Sequence, residues 1–285
     1  MDEIGKYTVL RRLGKGSSTE VFLCSIGETR VALKIHNVRS RRLRRKIRKG
    51  DTELAERLRQ NLIAEGDLVA RFDHPHIVTV LERASLVDGT PYFVMPYHPS
   101  NLSELIWPPE EMAPMAARIP LQLRPARALG QSPAVAILRQ LLMALAEVHL
   151  QGVVHRDVKP NNVLIDRHGG AVLCDFGVAK NPFSDATPIR RRFGAPPFMS
   201  PEQSRDPAAT DARSDLYAVG IIAFLMLTGA LPDDGRPAIE SIPGVGTGLG
   251  RWVKRMTEQE AAKRPTDATT ALAQLDAAES GVDPR

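Results

Sequence analysis

The segment from Val154 to Gly177 constrains this chain more than any other. Two apolar triplets, Val163-Leu164-Ile165 and Ala171-Val172-Leu173, flank a turn from Asp166 to Gly170 that ends in a Gly-Gly pair. Triplets around such a turn predict an antiparallel hairpin. Its open end would bring Asn162, just before the first strand, beside Asp175, just after the second. An amide and a carboxylate there offer two oxygen ligands to a hard cation, and Mg²⁺ prefers few protein oxygens completed by phosphate and water. The pair therefore reads as a nucleotide-metal site. Asp157 lies on the incoming loop, where a carboxylate can accept the proton of an attacking hydroxyl, and Lys159 would supply positive charge to a transferring phosphoryl group. A loop whose charges only pair with one another is the plainer alternative. The full string His155-Arg156-Asp157-Val158-Lys159-Pro160-Asn161-Asn162, followed by Asp175-Phe176-Gly177, is too specific to favour it.

At 285 residues and 43% hydrophobic content, the chain can bury one sizeable core or two close-packed lobes. No apolar run approaches the roughly 20 residues of a spanning helix, and Met1-Asp2-Glu3 lacks a secretory profile. A cytoplasmic chain with no membrane span is expected. Cys24 and Cys174 each sit inside an apolar run and read as buried thiols rather than a disulfide. The net charge of +5 raises nucleic-acid binding as a class, but the excess is local. Arg39, Arg41, Arg42, Arg44, Arg45, Lys46, Arg48 and Lys49 contain no acid among them, and removing these eight from the 38 Lys and Arg leaves 30 bases against 33 acids. No specific nucleic acid is expected as a partner. The basic segment, about residues 38–50, is either a solvated insertion or a docking element for an acidic partner.

Strands are expected at Tyr7 to Leu13, Val21 to Cys24, Arg30 to Ile35, Ile77 to Leu81 and Tyr92 to Met95. A helix carrying Leu54, Leu58, Leu62 and Val69 follows a plausible N-cap at Asp51. The character then changes to apolar helices, Pro133 to Leu150 and Asp215 to Thr228, with irregular loops between them. This gives a β-rich part at 1–97, a helical part at 98–275 with an irregular insertion at about 107–127, and a polar tail at 276–285.

The strings at His155 to Asn162 and Asp175 to Gly177 resemble, residue by residue, the eukaryotic-like (Hanks-type) serine/threonine protein kinases, particularly their bacterial branch, over about Tyr7 to Leu275. The resemblance implies an α+β, bilobal protein kinase fold, with a β-rich N-lobe, a mainly helical C-lobe, and ATP with Mg²⁺ in the cleft. It makes Asp157 the catalytic base, with Lys159 beside it, and Asn162 and Asp175 the Mg²⁺ ligands. Alternation along Val31 to Ile35 puts Ala32 and Lys34 on one face. An interior lysine needs a partner, which the resemblance names as Glu65, with Lys34 holding the α- and β-phosphates. Gly14-Lys15-Gly16-Ser17-Ser18 becomes the phosphate-covering loop; Thr19 replaces the third glycine of the pattern and predicts a stiffer loop. The resemblance also implies Met95 as the gatekeeper, the Pro96 carbonyl and the His98 N–H as the groups that receive adenine, and Leu13, Val21, Ala32 and Leu164 as walls for the base.

Further along, the resemblance pairs Glu202 with Arg264 and has Asp215 brace the catalytic loop. The implied activity is transfer of the ATP γ-phosphoryl group to serine or threonine of a protein substrate, with autophosphorylation, and Ser184 and Thr187 are candidate acceptors near Arg190, Arg191 and Arg192. Ala195 stands where such kinases carry threonine, which keeps a pseudokinase scaffold as an alternative. A kinase-like small-molecule phosphotransferase fits the strings around Asp157 and Glu202 less well.

Overall fold

The computed structural model describes residues 3–16, 18–37, 52–107, 126–176, 197–232 and 245–280. Contacts divide the chain into two compact units, one running to His98 and including Phe176, the other from Pro99 onward.

The N-terminal unit is a six-stranded antiparallel sheet. Its strands are β1 (Glu3–Ile4), β2 (Tyr7–Lys15), β3 (Thr19–Ile26), β4 (Thr29–His36), β5 (Glu82–Ser85) and β6 (Pro91–Pro96), in the order β1-β2-β3-β4-β6-β5. The β3–β4 turn depends on Gly27, whose φ of 56° lies in the left-handed region that glycine enters without steric cost. Central β4 is buried from Val31 to His36. Val31, Leu33 and Ile35 join Tyr7, Cys24, Tyr92 and Val94 in the core on one face of the sheet. Helix α1 (Thr52–Val69) packs on β4 and β6 through Leu62, Glu65, Gly66 and Val69. At Gly66 a Cβ would lie 3.2 Å from the Phe93 ring, so glycine lets the helix approach β6 closely.

One strand reading needs correction here. Ile77 to Leu81 is not a strand: Ile77 and Val78 are buried, but only Ile77 makes an isolated bridge, and the strand is Glu82–Ser85, which alternates half-buried and exposed residues at the sheet edge. An apolar run signals burial, and here burial comes without a ladder. Asp51 and the basic segment lie outside the described residues.

The C-terminal unit holds a small sheet, β7 (Ser100–Asn101), β8 (Val163–Ile165) and β9 (Ala171–Leu173), with helices α2 (Leu102–Ile106), α3 (Gln131–Leu150), α4 (Pro201–Arg205), α5 (Ala212–Thr228), α6 (Thr247–Met256) and α7 (Ala268–Glu279). Helix α5 is its axis. Asp211 caps it, Gly229 ends it at φ 70°, and every residue from Ser214 to Leu227 is buried. A side chain at Gly220 would run into Met256 and Thr257 at 2.7 Å, which explains a glycine in a helix interior.

By length and composition α3 could cross a membrane, contrary to the expectation that no segment would. Here Ala134, Leu138, Leu141, Leu142 and Leu145 are buried in the unit, and α3 contacts α5, α7 and β9. Residues 276–279 complete α7, because the Asp267 cap and buried Ala268, Ala271 and Leu275 set a helix that continues past its last apolar contact.

Candidate active site

In the N-terminal unit, Lys34 Nζ donates to both carboxylate oxygens of Glu65, at 2.6 and 2.8 Å. Both side chains are more than nine-tenths buried. Burying two charges is costly unless they are paired and hydrogen-bonded, and the short two-oxygen contact meets that demand. Register places other residues around this pair. Val21 faces Lys34 across β3–β4, Gly14 faces Val21 across β2–β3, and Ala32 faces Met95 across β4–β6. Directly opposed residues share a face, so Gly14, Val21, Ala32, Lys34 and Met95 line one side of the sheet.

Leu13 falls in the irregularity between the Arg12 and Gly14 pairs and is partly exposed. The loop that follows is tied down by Gly16 N–H to the Thr19 carbonyl at 2.8 Å and by Asn37 N–H to the Ser18 carbonyl at 2.7 Å. Ser17 lies outside the described residues. Pro96 closes β6, and His98 is half-buried just beyond it. Phe176 stacks on Phe72 within this unit, centroids 5.4 Å apart.

In the C-terminal unit the hairpin forms with Val163 opposite Leu173, and Cys174 N–H donates to the Asn162 carbonyl at 2.9 Å. Asn162 and Asp175 thus stand at one end of the ladder, with Leu164 half-buried on β8. The Asp157 carboxylate accepts from Lys159 Nζ at 2.8 Å and from Asn162 Nδ2 at 2.7 Å. Asn162 Nδ2 also donates to the Asp157 carbonyl at 2.9 Å, which turns the amide oxygen away from Asp157. An amide oxygen and the Asp175 carboxylate suit Mg²⁺, which takes its other ligands from phosphate and water.

The loop around Asp157 is held from below and behind. Asp215 on α5 accepts from His155 N–H and Arg156 N–H, each at 2.8 Å, and from His149 Nε2 at 3.0 Å. His155 is fully buried. Its Nδ1 accepts from Asp157 N–H at 3.3 Å, so the proton sits on Nε2, which donates to the Cys174 carbonyl at 3.1 Å. Arg156 and Asp175 are the non-glycine residues with left-handed backbone among those described, at φ 65° and 61°. Such conformations persist when the surroundings over-determine them.

Glu202 on α4 receives both terminal nitrogens of Arg264, at 2.7 and 2.9 Å, and the Ser214 hydroxyl at 2.7 Å. Burial opposes ionisation of this carboxyl, but the Arg264 guanidinium, Ser214 and its own N–H prevail and hold it at about 2. Two contributors carried no signal in the sequence: His149, in the last turn of α3, and Gln203, whose Nε2 donates to the Arg156 carbonyl at 2.8 Å. Gly177, Ser184, Thr187, Arg190 to Arg192 and Ala195 lie outside the described residues.

The protein kinase domain family matches residues 7–274. The chain belongs to the protein kinase family. Among curated relatives this kinase domain is 34% identical over 239 residues to serine/threonine-protein kinase PrkC of Bacillus subtilis, covering 82% of this chain and 32% of that protein. It is 30% identical over 263 residues to the probable serine/threonine-protein kinase PknB of Lactococcus lactis, covering 86% and 37%. The chain thus spans about a third of the length of the curated relatives it matches, in the bacterial, eukaryotic-like branch. The kinase domain also shares its fold with the apo form of PpkA-294, at TM-score 0.70 and 21% identity over 96% of this chain and 97% of that one. The Mycobacterium tuberculosis PknI kinase domain aligns at TM-score 0.62 and 24% identity, covering 97% and 98%.

Proposed function

We propose that this domain transfers the γ-phosphoryl group of ATP, with Mg²⁺, to serine or threonine hydroxyls of a protein substrate and of itself. The observation that carries the reading is the Asp157 carboxylate held between the Lys159 ammonium and the Asn162 amide. An acceptor hydroxyl beside Asp157 gives up its proton to that carboxylate as its oxygen attacks. Lys159, already within bonding distance, offsets negative charge building on the transferred group. Mg²⁺ held by Asn162 and Asp175 would neutralise the phosphates, and Lys34, aimed by Glu65, would hold the α- and β-oxygens. Positioning and electrostatics supply most of the rate in such chemistry, and the proton acceptor contributes roughly 10²- to 10⁴-fold.

The test is incubation with labelled ATP and Mg²⁺, comparing the native chain with Asp157→Asn. Label on the native chain or on a generic protein substrate, falling by that factor in the variant, supports the proposal. No label with either protein would replace it with a scaffold.

A further inference from the structure

We infer that Gln203 is a positioning residue: its side-chain amide holds the Arg156–Asp157 peptide plane and thereby fixes the orientation of Asp157. The inference rests on the kinase reading for its catalytic consequence, although the clamp itself is geometric. Arg156 is left-handed, at φ 65°, and a non-glycine residue stays in that region only when its neighbours leave it no alternative. Two helices supply the constraint. Asp215 on α5 takes the Arg156 N–H at 2.8 Å, and Gln203 on α4 donates Nε2–H to the Arg156 carbonyl at 2.8 Å. The other end of the same peptide plane is held as well, because Asp157 N–H donates to His155 Nδ1 at 3.3 Å. A peptide gripped at both its carbonyl and its N–H cannot rotate about the chain axis, and Asp157 begins at that plane.

Helix α4 is itself anchored, so the clamp has a fixed base. The Ser200 hydroxyl caps it by accepting Gln203 N–H at 3.2 Å, and neighbouring Glu202 is locked to Arg264. The side-chain amide is the only part of Gln203 that reaches the loop with a donor; a carboxylate of the same shape would present an acceptor to an acceptor.

The experiment compares the native chain with Gln203→Met and Gln203→Glu. Both variants are expected to melt near the native temperature and to exchange the amide hydrogens of residues 155–159 faster than native. With ATP and a protein substrate, kcat is expected to fall about tenfold in both, with KM for ATP unchanged, the size of one lost positioning hydrogen bond. The ratio of Gln203→Glu to native should climb as pH is lowered, because a protonated carboxylic acid regains a donor, whereas the Gln203→Met ratio stays flat. Native exchange at residues 155–159 in both variants overturns the clamp, and so does a kcat loss with the same pH-independent ratio in both. A native chain that labels nothing while the variants still show faster exchange would sink the kinase reading and leave the clamp in place.

Discussion

Among the described residues, each unit contains a buried pair of a glutamate with a lysine or an arginine, and the two are built differently. Lys34 meets Glu65 as a point charge on a flexible stem, reaching across from a strand to a helix. Arg264 meets Glu202 with a rigid fork, donates also to the carbonyls of Glu258 and Arg213, and lies 4.9 Å from the centre of the Tyr217 ring. An arginine fixed by so many partners has no freedom left for a ligand, whereas an ammonium with rotatable donors can share its charge with phosphate oxygens. The contrast separates a pair locked into the fold from a pair still able to bind phosphate, the role proposed for it above.

The largest test of that contrast is Arg264→Ala, which strands a buried carboxylate. It should destabilise the domain by about 3–5 kcal/mol, read from the urea midpoint; a loss under about 1 kcal/mol would erase the distinction. Lys34→Met combined with Glu65→Gln removes both charges of the other pair. Phosphoryl transfer is expected to fall about 10²- to 10³-fold, while stability stays within about 1.5 kcal/mol of native, since replacing a whole buried pair is often neutral. Should the double variant unfold instead, the N-terminal pair is structural too.

A smaller effect sharpens the C-terminal side. Glu202 is held at about 2, below the ordinary carboxylate value of 4.5, so its contribution is fully present above pH 4.5 and is lost as pH falls towards 2. The difference is on the order of 3 kcal/mol, and Glu202→Gln should remove that acid-sensitive component from the pH dependence of the urea midpoint. Least of all, Arg139→Ala, which breaks exposed pairs with Asp276 and Glu279, should change stability by less than about 1 kcal/mol.

The hairpin and its contacts were legible because their residues are close in sequence: a Gly-Gly turn between two apolar triplets dictates that Asn162 ends up near Asp175, and Asp157 is only five positions away. Alternation alone put Lys34 on a face with Ala32, but its place in the interior rested on the other motifs and Glu65 could be named only through the resemblance, since nothing local links positions 31 residues apart. His149 and Gln203 were illegible for the same reason. Each acts through a single polar atom on a backbone or side-chain group from a different element, and neither periodicity nor composition records that. The Ile77 to Leu81 error has another origin: the apolar signal reports burial, and a loop can satisfy burial as well as a strand can.

The imidazole of His155 joins its own loop to a segment 19 residues further along, accepting from Asp157 N–H at one edge and donating to the Cys174 carbonyl at the other. A planar five-membered ring has no internal rotation. The spacing between the backbone at Asp157 and the backbone that leads into Asp175 is thus set by a rigid ring and two hydrogen bonds, where a flexible side chain would have left it to thermal chance.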